Sequence, residues 1–322
     1  MIKILANDGL EVDGITLLEE AGYEVSTTKL SQAELMQALP EYDVIIVRSA
    51  TQVRKDLIDA CPNLKIIARA GVGLDNIDVE HAESKGIMVM NTPIASSQSV
   101  AELAFTHMFN LARFAHLSNR QMPGIGDTTD FKSLKTAYSS GIQLRGKTLG
   151  IIGFGRIGQE VARIGVAIGM NVMPVDPVIE NADIKIIVYN SDNIRLSVSM
   201  DTYEWDEVLR NSDFLTLHVP FTGGKAIIDA GEIAKMKDGA FIVNTSRGGA
   251  VDEKALLEAL NSGKLRGAGL DVFEDEPMPN PELLHHPKIS LTPHIGASTV
   301  EAQANIGLEL ADRIIAFFGD DK

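Results

Sequence analysis

Thr148-Leu149-Gly150-Ile151-Ile152-Gly153-Phe154-Gly155-Arg156-Ile157-Gly158 decides the fold of this chain. The apolar run Leu149 to Ile152 has the length and character of a buried parallel strand, and the glycines after it match the G-x-G-x-x-G spacing of a dinucleotide turn. The pattern predicts a helix from Arg156 to about Gly169, whose first backbone N–H groups can face a pyrophosphate. Asp176 ends the next apolar run about twenty residues later, where a carboxylate binds adenosine ribose hydroxyls and repels a 2′-phosphate. That favours NAD over NADP. Glycines also mark ordinary turns, and Asp176 before Pro177 also suits turn initiation, so the motif gains its weight from its strand–turn–helix setting.

Working outward, strand-like runs continue through Asn171 to Val175, Phe214 to Val219, Phe241 to Asn244, Ala268 to Val272 and Ile289 to Thr292. With the first run they suffice for a six-stranded doubly wound sheet. Ile184 to Tyr189, a Ser191-Asp192-Asn193 turn and Ile194 to Met200 read as an added β-hairpin after the second strand. Upstream, Ile2 to Leu5, Tyr42 to Val47, Leu64 to Ala68 and Ile87 to Met90 alternate with amphipathic segments, which predicts a second parallel sheet covered on both faces. Ser97 to Asn119 reads as one long helix, with Val100, Leu103, Ala104, Met108 and Leu111 at helical spacing. Gln121 to Gly146 is polar and glycine-containing, and Ser298 to Phe318 forms a closing helix with Ile306, Leu310 and Ile314 on one stripe. The expected fold class is α/β, with two doubly wound parallel-sheet domains.

At 322 residues the chain is long enough for two domains with separate cores. Its formal net charge of −15 and lack of a basic block argue against a nucleic-acid partner. Cys61 is the only cysteine, so no intrachain disulfide forms and nothing points to an oxidising compartment. The N-terminus lacks the pattern of a signal peptide and no run reaches membrane-spanning length, so a cytoplasmic protein with no membrane association is expected. No metal site is expected either.

Three further residues supply chemistry. Arg247 stands in Asn244-Thr245-Ser246-Arg247-Gly248-Gly249, Glu276 in Asp271-Val272-Phe273-Glu274-Asp275-Glu276-Pro277, and His294 in Thr292-Pro293-His294-Ile295-Gly296. A cation, an acid and an imidazole behind a dinucleotide turn suit oxidation of a 2-hydroxy acid. Imidazole titrates near neutral pH, an acidic neighbour orients it and stabilises its charged form, and a planar guanidinium holds a carboxylate with two prongs. Taken singly, His294 could cap a helix, Glu276 could be a loop acid, and Arg247 a surface cation.

With these segments, together with Ala68-Arg69-Ala70-Gly71-Val72-Gly73-Leu74-Asp75-Asn76-Ile77-Asp78, Ser99-Val100-Ala101-Glu102-Leu103 and His218-Val219-Pro220, the chain resembles the D-2-hydroxyacid dehydrogenase family over nearly its whole length. Within the family it is most similar to the branch that oxidises D-3-phosphoglycerate. The resemblance implies a flavodoxin-like substrate domain of residues 1–95 plus 296–322 and a Rossmann NAD-binding domain of residues 96–295. His294 would take the substrate hydroxyl proton, Glu276 would hold its ring, and Arg247 would clamp the substrate carboxylate. Gly153, Gly155, Arg156, Ile157, Gly158, Asp176, His218, Val219, Pro220, Thr245, Ser246 and Asp271 would line the NAD site, with Asp271 on the nicotinamide carboxamide. Gly71, Val72 and Gly73 would form a substrate-carboxylate loop. The family pattern further implies a homodimer or higher homo-oligomer, and a short form without the C-terminal serine-binding domain of longer relatives.

Arg48 and Ser49 follow the run Tyr42 to Val47, at a strand end where open α/β sheets bind ligands. They resemble the family's phosphate-binding segment, and Arg69 ends the next strand. A phosphorylated 2-hydroxy acid is therefore the expected substrate: D-3-phosphoglycerate, oxidised to 3-phosphohydroxypyruvate in the opening step of serine synthesis. Alternatives are a hydroxypyruvate or glyoxylate reductase, with Arg48 a solvated cation, and a non-enzymatic dinucleotide-sensing scaffold. Ser96 in place of a frequent asparagine, the missing tryptophan in Gln121 to Gly146, and the hairpin near Ser191 depart from the family pattern.

Overall fold

The computed structural model of the chain describes residues 1–187, 195–221 and 223–319. It divides into two compact units, Met1–Ser99 with the stretch from Ala297 onward, and Val100–Gly296.

The first unit is built on five parallel strands: β1 (Lys3–Ala6), β2 (Glu24–Ser26), β3 (Val44–Val47), β4 (Ile66–Arg69) and β5 (Met88–Asn91). Their spatial order is β2-β1-β3-β4-β5, the flavodoxin-like order. All four residues of β3 are fully buried, as expected of a central strand with helices on both faces. Register pairs Val47 with Arg69, so Arg48 and Arg69 leave the sheet at one edge, at the carboxyl ends of the strands. The last helix, Val300–Gly319, returns to this unit and crosses the helix Val12–Glu20. A Cβ on Gly14 would lie 2.6 Å from the Gly307 carbonyl oxygen, so the two helices touch backbone to backbone there.

The second unit carries a six-stranded parallel sheet of β6 (Thr148–Ile152), β7 (Asn171–Val175), β10 (Phe214–Leu217), β11 (Ala240–Asn244), β12 (Leu265–Leu270) and β13 (Ile289–Leu291). The order is β13-β12-β11-β10-β6-β7. Chain direction across the sheet reverses between β6 and β10, and the glycine turn sits at the end of β6, at this switch point. Phe214 and Phe241 stack with ring centroids 4.6 Å apart inside the core. Beyond β7, the strands β8 (Asn181–Ile187) and β9 (Arg195–Asp201) form an antiparallel ribbon that pairs Ile184 with Val198. Ile184 is buried in the core. The predicted Ser191-Asp192-Asn193 turn lies outside the described residues. No helix among the described residues is long and apolar enough to cross a membrane.

One sequence expectation needs correction, and two elements carry no clear signal in the sequence. The edge strand Glu24–Ser26 was not expected, because three residues with exposed or half-buried faces carry no apolar run. The expected single helix from Ser97 to Asn119 is broken: Phe114 takes φ 54° and separates Ser97–Arg113 from Ala115–Gln121. The polar stretch Gln121 to Gly146 contains the helix Thr128–Ala137, which starts where the Asp127 carboxylate accepts the N–H groups of Thr129 and Asp130.

Candidate active site

The glycine turn is shaped by two close approaches and one open face. Gly153 has φ 91°, and a Cβ there would lie 2.5 Å from the His218 carbonyl oxygen. A Cβ on Gly158 would lie 2.0 Å from the Gly153 carbonyl oxygen, where the helix Arg156–Ala167 meets the turn. Gly155 is different: it has an ordinary extended backbone, and a Cβ on it would meet nothing within 4 Å. Internal packing therefore explains Gly153 and Gly158 but not Gly155. A pyrophosphate approaching the helix N-terminus does explain it, since that role needs bare backbone at the middle glycine. Arg156 and Ile157 form the first exposed and half-buried positions of this helix.

Asp176 follows β7. One carboxylate oxygen accepts the N–H of Phe154 at 2.7 Å, and the other accepts those of Val178 and Ile179 at 2.9 and 3.0 Å. Burial pushes this carboxyl up, but the three donors outweigh it and hold it below the usual carboxylate range. Asp176 thus closes a local turn and ties β7 to the glycine turn, and its remaining acceptor capacity is available to ribose hydroxyls.

His218, Val219 and Pro220 follow β10 and pack beside Gly153. His218 Nε2 lies 2.9 Å from the Thr216 hydroxyl, while its Nδ1 and the Thr245 hydroxyl are buried without a hydrogen-bond partner among the described residues. Burial pushes the His218 imidazole down to about 3, so it is neutral. Orphaned polar atoms beside an open glycine turn fit an NAD site.

Asn244, the last residue of β11, organises the following turn. Its side-chain oxygen accepts both the N–H and the hydroxyl of Ser246, and its amide donates to the Arg247 carbonyl at 2.8 Å. Arg247 Nη1 donates to the Ser246 carbonyl, and a Cβ on Gly248 would lie 1.8 Å from the Phe273 carbonyl oxygen. That contact sets the Arg247 turn flush against the segment leading to Glu276. Glu276 accepts the Phe273 N–H at 2.9 Å with one oxygen and meets His294 Nδ1 at 2.8 Å with the other.

The Glu276 contact raises the His294 pKa most. Burial works against it, the charges of Glu276 and Asp271 support it, and Arg247 opposes it, leaving the imidazole above its ordinary value. For Glu276, burial pushes the carboxyl up, but His294, the Phe273 N–H and Arg247 together hold it low. A cavity of about 440 Å³ adjoins the pair, walled in part by Phe273, Pro277, Leu284 and Leu291. A neutral His294 can accept a proton at Nε2 while Glu276 holds Nδ1.

Asp271 follows β12 and is 1% exposed. Its carboxylate accepts the Thr292 hydroxyl at 2.6 Å, the Ile295 N–H at 2.8 Å and the Gly296 N–H at 2.9 Å. It therefore fixes the loop that carries His294, whose φ is 55°, a duty the sequence did not suggest. Asn244 and Thr292 were likewise missed; both stand in the motifs quoted, but only tertiary contacts reveal their tasks.

In the first unit, Arg48 follows β3. Its N–H and that of Thr51 donate to Asp8 at 2.8 and 3.1 Å, and its carbonyl accepts from Asn76 at 2.8 Å. The Arg48 guanidinium donates to the Gln303 side-chain oxygen. Ser49 is exposed. Arg69 Nη1 donates to the Ala70 carbonyl and lies across Gly71, which has φ 142°. Asn91 donates to the Val72 carbonyl at 2.7 Å, steadying the Gly71-Val72-Gly73 loop. These six residues thus gather at one sheet edge, while Arg247, Glu276 and His294 gather in the second unit. No group of three or more His, Cys, Asp or Glu side chains able to hold a metal occurs among the described residues.

The chain is similar to known proteins along most of its length. Residues 105–296 match the family model for the D-isomer specific 2-hydroxyacid dehydrogenase, NAD binding domain. A hydroxypyruvate reductase of Thermotoga maritima is 46% identical over 98% of this chain and 98% of its own length. A D-3-phosphoglycerate dehydrogenase of Methanocaldococcus jannaschii is 45% identical over 98% of this chain, which spans only 57% of that relative. Among solved structures, a glyoxylate reductase of Paecilomyes thermophila superposes with a TM-score of 0.80 at 30% identity, covering 97% of this chain and 94% of that one.

Proposed function

The chain belongs to the D-isomer specific 2-hydroxyacid dehydrogenase family and is an NAD-dependent oxidoreductase, and we propose that its substrate is D-3-phosphoglycerate, oxidised to 3-phosphohydroxypyruvate in the opening step of serine synthesis. The observation that carries this choice is the pair Arg48 and Arg69 at one sheet edge beside the Gly71-Val72-Gly73 loop. Two guanidiniums and a bare backbone loop suit a substrate with an anion at each end.

In this reading Gly153, Gly155, Gly158 and Asp176 hold the dinucleotide, with His218, Val219, Pro220, Thr245 and Ser246 along its groove. NAD, when bound, supplies the hydride acceptor. Arg247 binds the carboxylate and the reacting oxygen. His294 Nε2 takes the hydroxyl proton as the C2–H bond gives up its hydride, so the C–O bond becomes a carbonyl and the imidazole leaves charged. Glu276 stabilises that charge. Arg48 and Ser49 receive the phosphate, and the Gly71-Val72-Gly73 loop assists the carboxylate. The 1–95 plus 296–322 segment serves as substrate domain and 96–295 as NAD-binding domain.

A second reading, hydroxypyruvate or glyoxylate reduction, has support from the similarity to the Thermotoga maritima reductase along the full length of both chains. The engagement of Arg48 by Gln303 also favours it, since that guanidinium already has an acceptor. The proposed enzyme is a cytoplasmic homodimer. Initial rates test the substrate. With NAD, 3-phosphoglycerate should exceed D-glycerate in kcat/KM, and with NADH, 3-phosphohydroxypyruvate should exceed hydroxypyruvate and glyoxylate. The reverse order in both directions would transfer the assignment to the reductase.

A further inference from the structure

His107 lies in the helix Ser97–Arg113 and is completely buried, although neither the glycine turn nor the acid–base pair includes it. Room is made for it deliberately in packing terms: a Cβ on Gly269 in β12 would lie 2.5 Å from the His107 Cβ. Both ring nitrogens are engaged. Nδ1 lies 2.9 Å from the Ser290 hydroxyl and Nε2 lies 3.0 Å from the Thr292 hydroxyl. Burial pushes the imidazole down to about 4, with His116 adding to the effect, so it is neutral at working pH.

The direction of each bond follows from what the groups can donate. The Asp271 carboxylate only accepts, so the single Thr292 hydroxyl proton goes to it. Thr292 must then accept from His107 Nε2–H. A neutral ring protonated at Nε2 has Nδ1 free to accept, so the Ser290 hydroxyl donates to it, and Ser290 in turn receives the Asn110 amide at 3.3 Å. The result is a one-way chain from Asn110 through Ser290, His107 and Thr292 to Asp271. Asp271 holds the two N–H groups immediately after His294.

We propose that His107 is a positioning residue for proton transfer: through Thr292 and Asp271 it fixes the backbone of His294, and with it the aim of Nε2 at the substrate hydroxyl. An apolar side chain of similar volume would fill the space but leave the Thr292 hydroxyl without its donor, free to turn away from Asp271. The loop would then lose the constraint that keeps a non-glycine residue at positive φ.

This inference rests on His294 being the acid–base group, so His294→Ala is measured first, with 3-phosphoglycerate and hydroxypyruvate as substrates. If that variant turns over normally, the acid–base assignment itself fails. If it is inactive, His107→Leu should lower kcat roughly ten- to a hundredfold, the scale of loss when a reacting group is slightly misplaced, while the Kd for NADH changes less than about twofold. His107→Gln keeps a donor and an acceptor at the ring end and should recover most of the loss. Thr292→Val removes the link itself, so the double variant with His107→Leu should be no worse than the poorer single variant. Wild-type kcat in folded His107→Leu, equal damage from Leu and Gln, or losses that multiply in the double variant would each overturn the proposal. Should His107→Leu fail to fold, Thr292→Val carries the test, and wild-type kcat there overturns it.

Discussion

Glu276 Oε2 lies 2.8 Å from His294 Nδ1, and the other Glu276 oxygen is held by the Phe273 N–H. This contact is the main reason the His294 imidazole sits above its ordinary value. Oxidation needs the ring neutral and reduction needs it charged, so the sign of a Glu276→Gln change can be worked out. Losing the anion lowers the His294 pKa. The oxidation profile of kcat/KM should extend to lower pH, and the reduction profile should lose its upper end. pH–rate profiles in both directions check this; limbs that stay in place would assign the titration to another group.

The glycine turn allows a sharper separation of fold from ligand. Gly155→Ala should leave the melting temperature nearly unchanged, because its Cβ meets nothing, yet weaken NADH binding by at least about tenfold if a pyrophosphate approaches that backbone. Gly158→Ala should destabilise the protein itself, since its Cβ would strike the Gly153 carbonyl at 2.0 Å. Calorimetry with and without NADH measures both. Unchanged binding in Gly155→Ala would detach the turn from the cofactor.

Asp176→Ser should narrow the NAD-to-NADP ratio of kcat/KM, because ribose binding weakens and repulsion of a 2′-phosphate disappears. The structure adds a second effect: the bonds to Phe154, Val178 and Ile179 are also lost, so stability should fall by about 1–3 kcal/mol, the usual range for removed carboxylate hydrogen bonds. Denaturant unfolding and the two cofactor efficiencies check it together. A wild-type preference for NADP would contradict the cofactor assignment.

Much of this was legible in the residues themselves. The central strands β3, β6 and β10 are largely apolar and almost wholly buried, and the motifs around Arg247, Glu276 and His294 mark their turns by residue type alone. The edge strand Glu24–Ser26 was illegible because an edge needs no buried run. The break at Phe114 carries no glycine or proline, and the helix Thr128–Ala137 buries none of its residues, so neither leaves a periodic signal. The support beneath the site was hidden for a different reason. Thr292 and His107 are 185 positions apart, and only the packing of β12 and β13 against the long helix brings them together.

Buried neutral histidines should also shape stability. Burial lowers the folded-state pKa of His107 to about 4 and that of His218 to about 3, from 6.5. Below about pH 6.5 the unfolded chain binds protons that these folded rings refuse, so stability is complete above that pH and falls as pH drops, by up to about 1.4 kcal/mol per unit for each ring. Urea midpoints at pH 7, 6 and 5 should decline, less steeply in His107→Gln. An identical slope in that variant would contradict the buried, neutral state of His107.

The central claim is that a phosphate-bearing 2-hydroxy acid is oxidised with its phosphate on Arg48. Its most direct test is kcat/KM of wild type and Arg48→Ala for 3-phosphoglycerate and for D-glycerate. The account predicts a loss of about 1.5–3 kcal/mol in transition-state binding for 3-phosphoglycerate, the worth of a charge-assisted hydrogen bond, and far less for D-glycerate. Equal losses for both substrates, or none for either, would contradict it.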